Sequence, residues 1–317
     1  MSIDYLRVSV TDRCNLRCAY CKPFRGCDFI KHKEILTFEE IHRIVRLFLQ
    51  CGIRKVRLTG GEPLLRKNIV QLVQKLGAIN GIEDLCLTTN GVFLEPMAAE
   101  LRAAGLQRVN ISVDSAERES YKQITGFDLL PRVARGIYKA IEVGLTPVKI
   151  NSVVIRDLNV SQISALAQVS ICLPVTVRFI EYCPTGSPTR VGSDCVPNPE
   201  VRRIIERKFG PLVVVLTSDT NGPAFYFKIR NSAGFIGFIS GRTSLFCRSC
   251  RRLRLTSDGK LRPCLYSAHH YDLKKLIRSG VSDKEVLVLL KRIIEEKPKY
   301  TKLNSFTEGF SMYKVGG

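Results

Sequence analysis

The chain has no tryptophan, only four histidines and only three methionines. So few histidines exclude a histidine-rich metal site. Long hydrophobic runs are missing as well: "PLVVVL" and "VLVLL" fall far short of the ~20 residues that span a bilayer. The opening "MSIDYLRVSV" lacks the basic-then-apolar layout of a signal peptide and reads as a strand, so a cytoplasmic location without membrane contact is expected. No internal repeat or low-complexity linker breaks the 317 residues, which predicts two halves packed together rather than tethered. Acidic residues are scarce relative to basic ones. The 49 Lys and Arg stand against 29 Asp and Glu, and a formal charge of +20 favours an anionic partner, nucleic acid or a polyphosphate.

What is abundant is cysteine, with 12 in all. In a reducing compartment these are not read as disulfides. Six fall into two sets: Cys14, Cys18 and Cys21 in "CNLRCAYC", and Cys247, Cys250 and Cys264 in "FCRSCRRLRLTSDGKLRPCL". The other six, Cys27, Cys51, Cys86, Cys172, Cys183 and Cys195, are scattered, and most are expected to be small buried apolar side chains. Soft sulfur donors select zinc or iron–sulfur clusters. A structural zinc site needs a fourth protein ligand. A four-iron cluster on three cysteines instead leaves one iron open to a ligand.

Short β-branched runs alternate with amphipathic helical patterns through the first 180 or so residues. "LRVSV" (6–10), "KVRLT" (55–59), "DLCLTT" (84–89), "RVNISVD" (108–114), "VKINSVVI" (148–155) and "VTVRFIEY" (175–182) read as strands. In "TFEEIHRIVRLFLQCG", Thr37 and Glu40 form a capping box, Ile41, Ile44, Val45, Phe48 and Leu49 share one face, and Gly52 ends the helix. Six β-then-α units predict a parallel sheet curled like a barrel, with chemistry at the C-terminal strand ends, where "TGGEP", "TTNG", "SVD" and "EYCPTG" fall. After about residue 183 the pattern changes to a loop-like "PTGSPTRVGSDCVPNP", a helix, and strand-like runs without crossover helices, which suggest antiparallel pairing.

The C-x3-C-x2-C spacing, with Tyr20 before its last cysteine, resembles the cluster motif of the radical SAM enzymes, and "TGGEP" resembles their cofactor-binding segment. From "LRVSVTDRCNLRCAYC" through "RLTGGEPLLR", "TTNG" and "RFIEYCPTG" to "FCRSCRRLRLTSDGKLRPCL" and the final Gly-Gly, the whole chain resembles the GTP 3′,8-cyclase family. That resemblance implies an incomplete (βα)6 barrel over 1–182 and a C-terminal α+β domain over 183–317. It implies two [4Fe-4S] clusters, on Cys14, Cys18 and Cys21 and on Cys247, Cys250 and Cys264, together with S-adenosylmethionine. It places Tyr20, Gly61, Glu62, Ser112 and Cys183 at that cofactor. Arg7, Lys55, Arg57, Thr88, Lys149, Arg178, Arg252, Leu253 and Arg254 are placed at GTP, and Gly316-Gly317 form a tail that reaches into the site. The implied chemistry is cofactor cleavage to a 5′-deoxyadenosyl radical, abstraction of the ribose 3′ hydrogen and attack on guanine C8. The implied partners are GTP, an unidentified electron donor, cyclic pyranopterin monophosphate synthase downstream and a second copy of the chain, with no nucleic acid.

Four positions depart from the family pattern: Arg251 where Asn is usual, Cys183 for Met, Phe225 for Arg and Val160 for Asp. Arg251 is expected to add charge near the guanine end. Two other readings remain at this stage. One is a radical SAM enzyme acting on a peptide or tRNA. The other is a zinc-stabilised nucleic-acid-binding protein, which explains the charge and C-x2-C but not C-x3-C-x2-C beside a series of barrel strands.

Overall fold

The computed structural model describes residues 3–21, 29–183, 194–216, 222–244, 247, 250–300 and 312–316. The loop after Cys183, Cys27 and Gly317 lie outside the described residues.

The six runs read as strands are β1 (Tyr5–Ser9), β2 (Lys55–Thr59), β3 (Asp84–Thr89), β4 (Arg108–Ser112), β5 (Lys149–Val154) and β6 (Thr176–Glu181). Each pairs in parallel with the next, as buried β-branched runs joined by crossover helices require. The crossovers carry α1 (Phe38–Gln50), α2 (Ile69–Gly77), α3 (Leu94–Ala103), α4 (Arg118–Thr125), α5 (Leu130–Glu142), the short α6 (Arg156–Asn159) and α7 (Ile163–Cys172). The Thr37–Glu40 capping box forms as expected, and α1 buries Ile41, Ile44, Val45, Leu47 and Phe48.

The second half contributes α8 (Asn198–Phe209), β7 (Val213–Val215), β8 (Ala224–Lys228), β9 (Phe235–Ile239), β10 (Arg252–Leu255), β11 (Lys260–Arg262), β12 (Tyr271–Asp272), α9 (Leu273–Arg278) and α10 (Asp283–Glu296). Its strands extend both edges of the first sheet. β9 adds parallel to β6 and carries the antiparallel β8 and β7, while β10 adds parallel to β1 and carries β11 and β12. The result is one 12-stranded sheet, with the order β12-β11-β10-β1-β2-β3-β4-β5-β6-β9-β8-β7. Antiparallel pairing holds for β7, β8 and β9 among themselves, as expected, but the joins to the first half are parallel. The sheet is curled, because β10, β1 through β6 and β9 all contribute to the lining of one cavity. No helix among the described residues is long and apolar enough to cross a membrane.

The scattered cysteines correct one expectation. Among the described residues only Cys86 is fully buried; Cys51, Cys183 and Cys195 are half-buried and Cys172 is exposed, and no disulfide joins them.

Candidate active site

The cavity on the concave face has a volume of about 760 Å³, within the roughly 300–1,000 Å³ typical of ligand clefts. All six cysteines of the two sets line it. Strand direction puts the sets at opposite ends. Cys14, Cys18 and Cys21 follow β1, at the C-terminal ends of the strands. Cys247 and Cys250 precede β10, which runs parallel to β1 with Tyr5 beside Arg252, so they sit at the N-terminal ends. β11 runs back along β10 with Arg262 beside Arg254, and Cys264 follows two residues later. The hairpin therefore returns Cys264 to the same end as Cys247 and Cys250. The five residues of β1 separate the two ends by about 13 Å at strand rise.

The cationic residues lie between. At one height across neighbouring strands stand Arg254, Arg7, Arg57, Cys86 and Arg108, each about 4.8 Å from the next along the sheet. Alternation along a strand puts Arg252 and Arg254 on the cavity face together and turns Leu253 to the core, where it is fully buried. Leu253 is thus a correction: its side chain does not line the cavity. Packing three guanidinium groups side by side has an electrostatic cost. Burial, then the charges of Arg254, Arg57 and Arg252, push Arg7 well below its ordinary value. Burial and Arg252 push Arg254 down to about 10. Burial, with a smaller contribution from Arg57, does the same to Arg178, also to about 10. Such a row is suited to an anion of several charges.

Other contacts hold these side chains in place. Arg57 donates through Nε to Cys86 Sγ at 3.0 Å and lies over the Tyr5 ring. Arg178 donates to Asn151 Oδ1 at 2.8 Å and passes over Gly237, where an added Cβ would stand 2.9 Å from its Cγ. Lys55 pairs with Asp4 at 2.9 Å, and Asp4 also pairs with Arg251 at 2.9 Å. Arg251 is exposed and does not line the cavity, and its charge is met by Asp4. Phe225 is 69% exposed on β8, and Val160 packs against the core; neither lines the cavity. Cys183 does, with Thr88, Lys149 and Ser112.

At the C-terminal end, "TGGEP" does something sequence reading did not anticipate. The close approach its glycines permit is to the chain itself. Gly61 N–H donates to the Thr11 carbonyl and Glu62 N–H to the Arg13 carbonyl, both at 2.7 Å, so this turn braces the segment entering Cys14. A Cβ on Gly61 would stand 2.3 Å from the Arg13 carbonyl oxygen. Gly61 lines the cavity, whereas the Glu62 side chain does not. The fully buried Glu62 carboxylate instead accepts from Thr89 Oγ1 at 2.7 Å, Asn90 N at 2.7 Å and Leu64 N at 3.0 Å, tying the loop after β2 to that after β3. Burial pushes this carboxyl up to about 7 against those donors.

The sign of the pH dependence follows. A folded carboxyl raised above its unfolded value of 4.5 contributes stability that is present below that pH and lost as the pH rises through about 7. Glu62→Gln removes the titration and sets an amide N–H against a donor, at a cost of about 1–3 kcal/mol. Its deficit relative to the parent, read by thermal unfolding, is expected to be larger at pH 5 than at pH 7.5. An equal deficit at both would show that Glu62 does not titrate in this range.

Two further residues were missed. Tyr20 donates to Asp114 Oδ2 at 2.6 Å, and Asp114 Oδ1 accepts from Val153 N at 2.8 Å. Asn90 donates to Asn15 Oδ1 at 2.8 Å and to Cys14 Sγ at 3.8 Å. The available signal was the position of "SVD" and "TTNG" at C-terminal strand ends. At the other end Lys297, also missed, donates to Cys250 Sγ at 3.7 Å. The C-terminal segment enters the site too, since Met312 and Tyr313 line the cavity and Arg254 Nη1 donates to the Gly316 carbonyl at 2.8 Å. Gly316 has φ +76, and a Cβ there would meet Thr59 Cγ2 at 2.9 Å.

The donor chemistry of the first set fits an iron–sulfur cluster. Burial, Asp114 and then the charges of Cys21 and Cys14 push the Cys18 thiol well up, so the three sulfurs sense one another and require a cationic core to ionise together.

A curled parallel sheet with C-x3-C-x2-C after its first strand defines a radical SAM enzyme. The family described as "Radical SAM superfamily" matches residues 8–169, and the chain belongs to it. Within it the chain is a member of the GTP 3′,8-cyclase family. It is 43% identical over 317 residues to the GTP 3′,8-cyclase of Pelotomaculum thermopropionicum, covering 99% of this chain and 98% of the relative. With that of Thermodesulfovibrio yellowstonii it shares 45% over 299 residues, covering 94% and 92%. The family described as "Molybdenum Cofactor Synthesis C" matches residues 175–303. Among solved structures, Streptococcus suis SuiB bound to S-adenosylmethionine superposes with a TM-score of 0.61 at 17% identity, covering 92% of this chain and 68% of that one. Methylornithine synthase gives 0.51 at 17% identity, covering 67% and 64%. These two share the fold. Family membership implies a [4Fe-4S] cluster and S-adenosylmethionine.

Proposed function

We infer that this chain is a GTP 3′,8-cyclase, joining ribose C3′ to guanine C8 of GTP to give (8S)-3′,8-cyclo-7,8-dihydroguanosine 5′-triphosphate at the start of molybdenum cofactor synthesis. One observation carries the reading beyond family membership: a row of arginines lies between two three-cysteine sets at opposite ends of one cavity. Cys14, Cys18 and Cys21 would hold the first cluster, and Cys247, Cys250 and Cys264 would hold a second that would offer the guanine base a ligand position. When bound, the first cluster and S-adenosylmethionine would supply the one-electron chemistry that removes a hydrogen atom from the substrate.

The protein's own part is to bind, orient and exclude water. Tyr20, Gly61, Ser112 and Cys183 contact S-adenosylmethionine, with Tyr20 held by Asp114. Glu62 acts from behind, by fixing the loop that presents Gly61. Arg7, Arg57, Arg252 and Arg254, with Lys55, Lys149 and Arg178, take the triphosphate, and Thr88 lies among them. The ribose would then lie between the two ends of the cavity. The reaction runs in the cytoplasm, and the product passes to cyclic pyranopterin monophosphate synthase.

The test is anaerobic reconstitution with iron and sulfide, followed by S-adenosylmethionine, a reductant and GTP. Iron corresponding to two clusters, GTP-dependent 5′-deoxyadenosine and a cyclised nucleotide are expected. Deoxyadenosine formed without consumption of GTP would move the substrate elsewhere. Zinc in place of iron, with no cofactor cleavage, would overturn the enzymatic reading.

A further inference from the structure

Lys297 caps the C-terminal end of α10 and is only 4% exposed. Lysine is almost never fully buried unless it is paired. Removing an ammonium from water costs several kcal/mol unless a counter-charge meets it. Among the described residues its Nζ makes a single hydrogen bond, to Cys250 Sγ, and no ion pair with Asp or Glu. The carbonyl end of a helix favours a cation, which supplies part of the compensation. Arg252 hydrogen-bonds the same sulfur from β10. Two cations on one cysteine is more than protein folding alone asks for.

We propose that Lys297 is a positioning residue for the second cluster, its ammonium set against the Cys250 thiolate so as to raise that cluster's reduction potential. The proposal rests on the reading that the C-terminal cysteines hold a four-iron cluster. Reduction adds one negative charge to the iron–sulfur core, and a fixed cation at a ligand sulfur favours the more negative state. A hydrogen bond to that sulfur also withdraws electron density from the iron, which leaves the open iron a better acceptor for a base nitrogen or oxygen. Lys297 sits within the cavity wall, shielded from water, where this charge is screened least.

The experiment uses the full-length chain with Cys14, Cys18 and Cys21 changed to Ala, so that only the second set remains. Lys297 is compared with Lys297→Arg, Lys297→Gln and Lys297→Met, each reconstituted anaerobically and titrated electrochemically with EPR detection. The potential is expected to fall in the Gln and Met chains and to stay near the parent in the Arg chain, at equal iron content. A Met potential equal to the parent's would overturn the proposal. If the Met chain loses its iron, the Arg–Gln comparison decides, and equal potentials there overturn it as well. If no chain with the three Ala changes takes up iron, the reading of the C-terminal set fails, and the proposal fails with it.

Discussion

Replacing Arg7 with methionine is expected to make the ligand-free protein more stable and its GTP binding far weaker. Arg7 stands between Arg254 and Arg57 at one height in the sheet, and burial, then the like charges, already disfavour its charged form. Methionine keeps the volume and the apolar stem while deleting the repulsion. Relief of about 1 kcal/mol raises Tm by roughly 2–4 °C in a protein of this size. The phosphates, in contrast, lose charge-assisted hydrogen bonds worth about 1.5–3 kcal/mol each. Two such bonds correspond to at least a 100-fold loss of affinity. Differential scanning calorimetry with and without GTP reads both effects. The rise in Tm caused by GTP is expected to shrink in the variant while the ligand-free Tm climbs. A lower ligand-free Tm with GTP stabilisation intact would show that Arg7 is structural. The same logic makes GTP stabilisation of the parent fall as salt is added.

Gly61→Ala is expected to abolish turnover and to release the first cluster. The added methyl would lie 2.3 Å from the Arg13 carbonyl oxygen and 2.8 Å from that of Asp12. Both are backbone atoms, so no rotamer relieves the contact. The two N–H donations from Gly61 and Glu62 to residues 11 and 13 hold that segment against the turn. Overpacking of this kind costs about 1–3 kcal/mol, and the segment that must move is the one that delivers Cys14. Iron content after reconstitution should fall by half, with the C-terminal set still loaded, and 5′-deoxyadenosine should no longer form. Full iron content with normal cleavage would show that the turn tolerates a side chain. Gly60→Ala is a companion variant, since its Cβ would stand 2.6 Å from the Thr11 carbonyl oxygen.

Much of this was legible from the linear sequence because the signals are local. The short apolar, β-branched runs "KVRLT" and "DLCLTT" gave β2 and β3 to the residue, and Thr37 and Glu40 gave the start of α1. The cysteine spacings set the donor chemistry, since a C-x3-C-x2-C loop brings three sulfurs together whatever surrounds it. Alternation in "RLRL" is enough to put Arg252 and Arg254 on one face.

Tertiary structure decided what depends on long-range pairing. Nothing within residues 247–264 says that β10 runs parallel to β1, yet that pairing is what carries the second cysteine set to the far end of the cavity. The arginine row exists only through register, because Arg254 and Arg7 become neighbours across more than 240 residues. Glu62 looked like a ligand from its motif, but three donors turned it inward to brace two loops. Lys297 carried no mark in "EEKPKY", since a lysine at a helix end is ordinarily solvated. Only the fold, which brings the end of α10 beside Cys250, buries its ammonium next to a cysteine sulfur. Periodicity and spacing are properties of neighbours along the chain, whereas burial and charge pairing are set by whatever the fold brings alongside.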